Sequence, residues 1–125
     1  MSKKILVTDD NKRITDLLGK MLSMKGYEVM AAESGQDAIM KARSFAPDLV
    51  IMDLMLPDMQ GSEVVRELKS QPAFAATPII FLSGIAEDSD SGSCSTLQVD
   101  GVVYKSFAKP FDIEKFSREI EKSLS

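Results

Sequence analysis

Short, uninterrupted apolar runs alternate along this chain with longer segments of helical periodicity. The clearest runs cover residues 5–7, 49–52, 79–82 and 102–104. After the first run, apolar residues recur at the spacing of one helical face (Ile14, Leu17, Leu18, Met21 and Leu22). Strands that are apolar throughout and alternate with amphipathic helices predict an α/β fold, with a parallel sheet covered on both faces.

The alternation predicts five strands and five helices. Residues 27–32 suit a second strand, Ser34 is a candidate cap for the helix that follows, and residues 63–69 suit another helix. The last helix is expected after Asp112, with Ile113, Phe116, Ile120 and Leu124 facing inward. Residues 86–96 are rich in Ser, Asp and Gly, which are poor helix formers, so we expect a loop or the frayed start of a helix there.

The composition excludes several classes of protein. The 125 residues predict one domain, and a net charge of −4 argues against a nucleic-acid-binding surface. No apolar stretch approaches the ~20 residues that span a bilayer, and the run after Lys3 and Lys4 is too short for a signal peptide. The single cysteine, Cys94, cannot form an internal disulfide, which favours a cytoplasmic location.

The chain contains no histidine. This absence makes zinc sites, Ser-His catalysis and a phosphohistidine within this chain improbable, because histidine is the commonest general base and transition-metal ligand. Any chemistry would use carboxylates, hydroxyls, lysine and a hard cation.

Polar side chains stand where the predicted strands end. Asp9 and Asp10 follow the first strand, Asp53 the third and Ser83 the fourth, and Lys109 follows the fifth. In parallel sheets, ligands bind beyond the carboxyl ends of the strands, near the point where strand order reverses. Each residue taken singly would more often be a helix cap or a solvated loop residue, but the ordered set favours one site.

Three neighbouring carboxylates repel one another and need compensating positive charge. Oxygen ligands without histidine favour Mg²⁺. A carboxylate beside Mg²⁺ and a lysine is also suited to accept a phosphoryl group, because both cations neutralise charge on the phosphoryl oxygens.

These motifs closely resemble the receiver domain of bacterial two-component response regulators. They are I-L-V-T-D-D-N-K, L-V-I-M-D-L-M-L-P-D-M-Q-G, P-I-I-F-L-S-G and A-K-P-F, and together they extend the likeness over residues 1–125. The resemblance implies a flavodoxin-like, doubly wound, five-stranded parallel sheet of order 2-1-3-4-5. It also implies a non-enzymatic regulatory domain that catalyses only its own phosphorylation and autodephosphorylation.

The resemblance assigns a role to each site residue. Asp53 is the implied phosphoacceptor, with Ser83 as the switch hydroxyl and Lys109 as the phosphate-pairing lysine. Asp9, Asp10, Asp53 and the backbone carbonyl of Met55 are the implied Mg²⁺ ligands. The implied phosphoryl donor is the phosphohistidine of a sensor histidine kinase or a phosphotransfer protein.

Two features depart from the family pattern. Ser106 stands where the family usually carries an aromatic or histidine residue that swings inward on phosphorylation. Tyr104 is expected on the same strand face as Ser106, with Phe107 on the opposite face, and whether Tyr104 replaces the missing aromatic stays open. The separation of Ser83 from Lys109 (109 − 83 = 26) is a few residues longer than usual.

Both departures fall on the family's usual output surface, formed by the fourth helix, fifth strand and fifth helix. We therefore expect the fourth helix to be short, shifted or disordered, and partner binding or homodimerisation to differ from the common mode. The main alternative is a receiver-like interaction module that works without phosphorylation. A metal-dependent phosphohydrolase would need a second acid at position 55, which is Met, and a flavin-binding sheet would not suit the acidic Asp9–Asp10 turn.

The sequence leaves open the kinase, the signal, the output partner, the rate of autodephosphorylation and whether the chain is a stand-alone regulator or a fragment of a longer protein.

Overall fold

Strands and helices alternate through most of the chain, as the apolar pattern predicts. The computed structural model describes residues 3–83, 94–99, 101–108 and 113–124. In chain order its elements are β1 (Lys4–Thr8), α1 (Lys12–Met24), β2 (Glu28–Ala32), α2 (Gly35–Phe45), β3 (Leu49–Asp53), α3 (Gly61–Lys69), a 3-10 turn (Pro72–Phe74), β4 (Ile79–Ser83), β5 (Cys94–Val99), β6 (Val102–Ala108) and α4 (Ile113–Leu124).

The strands form one sheet of order β2-β1-β3-β4-β6-β5. The first four strands and β6 run parallel, and β6 is the predicted fifth strand. The doubly wound, flavodoxin-like α/β class is therefore confirmed, together with the predicted order of the parallel strands. None of the helices in the described ranges has the length and apolar content needed to cross a bilayer.

Within the described residues the sheet has six strands instead of the predicted five, because β5 adds an antiparallel edge. Its register with β6 is continuous from Cys94 opposite Phe107 to Val99 opposite Val102. Residues 94–96 were expected in a loop or helix start, and that expectation is wrong. The Ser and Thr residues that disfavour a helix are compatible with a strand, and Thr favours one.

The predicted fourth helix falls largely on residues 84–93, which lie outside the described residues. Its expected shortening or disorder, and the predicted count of five helices, therefore stay predictions. The described ranges contain four α-helices, of which α4 corresponds to the predicted last helix.

The sheet separates two hydrophobic cores. One lies under α2 and α3 and contains Phe81, against which Tyr104 packs edge-to-face with the ring centroids 5.6 Å apart. The other lies under α1 and α4 and contains Phe107 and Phe116, whose centroids are 5.0 Å apart. The prediction that Tyr104 and Phe107 occupy opposite faces of their strand is thus confirmed.

Two helix boundaries have a local cause, and the second of them, the Ser34 cap, confirms the prediction. Helix α1 ends at Met24, and Gly26 follows in the left-handed region with φ +94°, where glycine is favoured over other residues. The Ser34 hydroxyl accepts a hydrogen bond of 3.1 Å from the backbone N–H of Asp37 and so caps α2.

Candidate functional site

Two buried carboxylates lie at the carboxyl ends of the adjacent strands β1 and β3. Asp9 directly follows β1 and is fully buried, and Asp53 is the last residue of β3 and is 4% exposed. The backbone N–H of Asp9 donates to the carbonyl of Ala32 (3.1 Å), so the β1–β2 pairing continues up to the acidic residue. Asp10 is exposed and leaves one side of this acidic edge open to solvent.

The structure brings Asp9, Asp10 and Asp53 together. One carboxylate oxygen from each residue lies within 4.8 Å of the other two. Two ligands on opposite sides of a Mg²⁺ ion are about 4.2 Å apart, because each Mg–O distance is about 2.1 Å. The three oxygens therefore fit around one hard cation after small side-chain adjustments, and their chemistry suits Mg²⁺.

The loop after β3 bends sharply beside Asp53. The backbone N–H of Leu54 donates to the carbonyl of Leu82 (2.9 Å), and the N–H of Gly61 donates to the carbonyl of Leu54 (2.8 Å). These bonds fix both ends of the loop. Met55, whose carbonyl is a predicted metal ligand, lies between them, and its N–H is 3.5 Å from the Asp53 carboxylate, too far for a strong hydrogen bond.

Gly61 closes the loop by a close backbone approach. A Cβ added at this position would lie far inside the contact distance of the Asp53 carbonyl oxygen and also near the backbone of Leu54. Only glycine therefore fits where α3 begins beneath the site. This role of Gly61 is not predictable from its spacing, although Gly61 is the last residue of the L-P-D-M-Q-G motif.

The remaining two predicted site residues are Ser83 and Lys109. Strand β4 ends at Ser83, which pairs with Ala108 on β6. Lys109 and the Ser83 hydroxyl lie outside the described part of the structure. Strand β6 ends at Ala108, beside the end of β4 at Ser83, in agreement with the predicted strand order.

The acidic cluster lies at the topological switch point of the sheet. Strand order reverses between β1 and β3, and the cluster sits beyond the carboxyl ends of those two strands. Fold and cluster together define a doubly wound α/β domain with an acidic cluster, able to hold a cation, at its switch point.

The chain belongs to the response regulator receiver domain family, whose model matches residues 5–120. It is 38% identical over 108 residues to the alkaline phosphatase synthesis transcriptional regulatory protein PhoP of Bacillus subtilis (strain 168). That alignment covers 86% of this chain and 44% of PhoP, so the chain spans less than half the length of this relative.

Solved receiver structures share the fold over nearly the whole chain. The chemotaxis response regulator CheY4 of Vibrio cholerae is 28% identical, with a TM-score of 0.81, and the match covers 99% of this chain and 100% of that one. The receiver domain of the sensor histidine kinase PA1611 of Pseudomonas aeruginosa PAO1 is also 28% identical, with a TM-score of 0.81 and coverages of 99% and 98%. The latter structure is described with a magnesium ion coordinated in its active-site cleft.

Membership of this family identifies the chain as a regulatory signalling domain of two-component systems and supports a phosphoryl-accepting role. It does not favour the alternative of an interaction module that works without phosphorylation.

Proposed function

We propose that Asp53 accepts a phosphoryl group from the phosphohistidine of a sensor kinase or phosphotransfer protein, in a Mg²⁺-dependent reaction. The observation that carries the proposal is the gathering of Asp9, Asp10 and Asp53 within 4.8 Å at the switch point of the sheet. Asp53 is the member of this cluster at the end of the central strand β3, with both flanking strands ending at the same edge.

The proposed step conserves atoms and charge. A carboxylate oxygen of Asp53 attacks the phosphorus atom, the P–N bond to the donor imidazole breaks, and its electron pair returns to the ring nitrogen. The product is an acyl phosphate on Asp53 and a free histidine on the partner. Because residues 1–125 contain no histidine, the donor histidine lies outside this domain.

The residues around Asp53 would hold the reacting groups. Asp9, Asp10, Asp53 and the Met55 carbonyl would hold Mg²⁺, which offsets charge on the phosphoryl oxygens. Ser83 would donate a hydrogen bond to one of those oxygens, and Lys109 would pair with another. The same site would later admit the water molecule that hydrolyses the acyl phosphate.

The wider assignments follow from the same proposal. We infer that residues 1–125 form one receiver domain, and that the single cysteine reflects a cytoplasmic location. Since the chain spans 44% of PhoP, an effector domain beyond it is one route to an output, and a separate partner protein or a homodimer is another.

The test is phosphorylation by acetyl phosphate in the presence of Mg²⁺, followed by intact-protein mass spectrometry. We expect the wild type to gain the mass of one phosphoryl group, and we expect no gain for Asp53→Ala or for the wild type with EDTA. Asp48→Ala is a matched control, because it removes an exposed carboxylate that bonds the backbone of Lys4, away from the cluster.

A wild type that gains no mass and binds neither Mg²⁺ nor beryllofluoride would overturn the proposal. Equal modification of Asp53→Ala would show that another residue is the acceptor.

A further inference from the structure

The N-terminus of α2 receives part of its cap from a distant loop. The first N–H groups of any helix lack partners within the helix. In α2, Ser34 satisfies the N–H of Asp37, but the N–H groups of Gly35 and Gln36 donate to the two carboxylate oxygens of Asp58, at 2.8 and 3.0 Å. Asp58 belongs to the loop between β3 and α3, so its carboxylate joins two segments that are 22–23 residues apart.

Asp58 is well suited to hold this contact as an anion. Backbone hydrogen bonds from Gln36 and Gly35 hold the pKa of Asp58 below its ordinary value, because they stabilise the carboxylate over the neutral acid. The positive end of the α2 dipole acts in the same direction. The contact is therefore charge-assisted, although Asp58 itself is exposed.

An apolar contact lies next to this polar one. A Cβ at Gly35 would collide with the side chain of Met59, and Met59 packs against the core under α2 and α3. Asp58 and Met59, which are consecutive in the loop, thus both dock onto the first turn of α2. The absence of a side chain at Gly35 makes room for Met59.

We propose that Asp58 is a positioning residue for the metal site: by tying residues 54–60 to α2, it holds the backbone carbonyl of Met55 beside the acidic cluster. This inference rests on the proposed function. Met55 forms an antiparallel bridge with Gln60, and Gly61 bonds Leu54, so the base of the loop holds together as a unit. The Asp58 contact fixes this unit against α2, and its release lets the unit, with the Met55 carbonyl, shift relative to α2. Groups that orient metal ligands typically change metal affinity when they are removed.

The test compares Asp58→Ala with Asp37→Ala. Asp37 also stabilises the start of α2, by accepting from the N–H of Glu33 and pairing with Lys41, each at 3.1 Å. Both of these contacts lie in α2 or within two residues of its first residue. Titration calorimetry gives the Mg²⁺ dissociation constant, denaturation gives stability, and acetyl phosphate reactions at varied Mg²⁺ give the rate.

We expect Asp58→Ala to weaken Mg²⁺ binding about tenfold, whereas Asp37→Ala loses stability and keeps the wild-type affinity. The phosphorylation rate of Asp58→Ala should return to the wild-type value at saturating Mg²⁺, because Asp53 itself is untouched. Asp58→Asn, which keeps the shape and one acceptor oxygen, should lie between Asp58→Ala and the wild type and serves as the test if Asp58→Ala does not fold.

Unchanged Mg²⁺ affinity in Asp58→Ala and Asp58→Asn, with normal phosphorylation of the wild type, would overturn the positioning role and leave the proposed function standing. Equal weakening by Asp37→Ala would also overturn it, since the effect would then come from α2 stability. A wild type that neither binds Mg²⁺ nor accepts phosphate would overturn both.

Discussion

Gly61 lies directly against the backbone carbonyl of Asp53, so that the first residue of α3 touches the residue at the centre of the acidic cluster. Backbone atoms occupy the space that a Cβ would need, and backbone cannot move aside as a flexible side chain can. The contact fixes where α3 begins relative to β3.

Gly61→Ala should therefore destabilise the domain by about 1–3 kcal/mol, the usual cost of forcing extra volume into a packed region. Urea denaturation measures the change. Gly19→Ala is the matched control: a Cβ there meets nothing within 4 Å, and Gly19 lies inside α1. That substitution should stabilise the domain by roughly 0.5–1 kcal/mol, because alanine favours helices. Equal effects of the two substitutions would contradict the close approach.

Repulsion within the acidic cluster should lower stability when no cation is bound. Replacing the exposed Asp10 by Asn in EDTA removes one of three charges and should raise the unfolding free energy by about 0.5–1 kcal/mol. The gain should shrink as salt is added, because Asp10 is open to solvent. Asp16→Asn, an equal change of net charge on the exposed side of α1, should not reproduce it; if it does, the effect is one of net charge.

Bound Mg²⁺ should offset the repulsion between the carboxylates and stabilise the folded protein. A ligand that binds only the folded protein stabilises it in proportion to the logarithm of its concentration above the dissociation constant. The melting temperature of the wild type should rise with Mg²⁺, and that of Asp53→Ala should rise much less. Thermal denaturation at several Mg²⁺ concentrations measures both, and parallel rises would show that the ion stabilises the protein elsewhere.

The contact between Asp58 and α2 should weaken in acid. The pKa of the Asp58 carboxyl is lower in the folded state than the ordinary value of 3.8 that applies to the unfolded chain. At a pH between the folded and unfolded pKa values, the unfolded chain therefore binds more protons. The stability that Asp58 contributes is fully present above 3.8 and is lost as the pH falls through the folded pKa. The difference in unfolding free energy between wild type and Asp58→Ala should be constant near neutral pH and shrink below about pH 4. A difference that grows with acidity would contradict this assignment.

The hairpin between β5 and β6 should depend on Gly101. This residue has φ +81°, in the left-handed region that disfavours residues with a Cβ. Gly101→Ala should cost about 1–2 kcal/mol, and Gly101→Asn should cost less, because Asn tolerates this region better. Chemical denaturation measures stability, and amide exchange of β6 shows whether the loss begins in the hairpin. Equal stability of the wild type, Gly101→Ala and Gly101→Asn would contradict the left-handed backbone conformation at Gly101.

Local signals predicted most of the fold. The apolar run 49–52 is buried, and Ile14, Leu18 and Leu22 share the core-facing side of α1. Such patterns arise between residues close in sequence, so they can be read from the sequence alone. Strand β5 was missed because residues 94–96 lack a strong apolar pattern and are held by pairing with β6. Asp100-Gly101, a dipeptide typical of two-residue hairpins, was the overlooked signal.

Some features of the site could likewise be predicted from the sequence, and others could not. The proximity of Asp9, Asp10 and Asp53 could be predicted, because the carboxyl ends of parallel strands meet at one edge of the sheet. The contact of Asp58 with Gly35 could not, because it joins a loop to a helix start through tertiary packing, without any spacing rule. The close approach of Gly61 to Asp53 likewise appears only in three dimensions.

Strand β6 gives its two faces to different cores, with Tyr104 against Phe81 on one side and Phe107 against Phe116 on the other. A slip of one residue would send each aromatic ring to the wrong layer. Packing of the two rings therefore fixes the register of β6 against β4, which places Ala108 opposite Ser83. The position of the strand end at the edge of the sheet thus depends on apolar packing in the two cores.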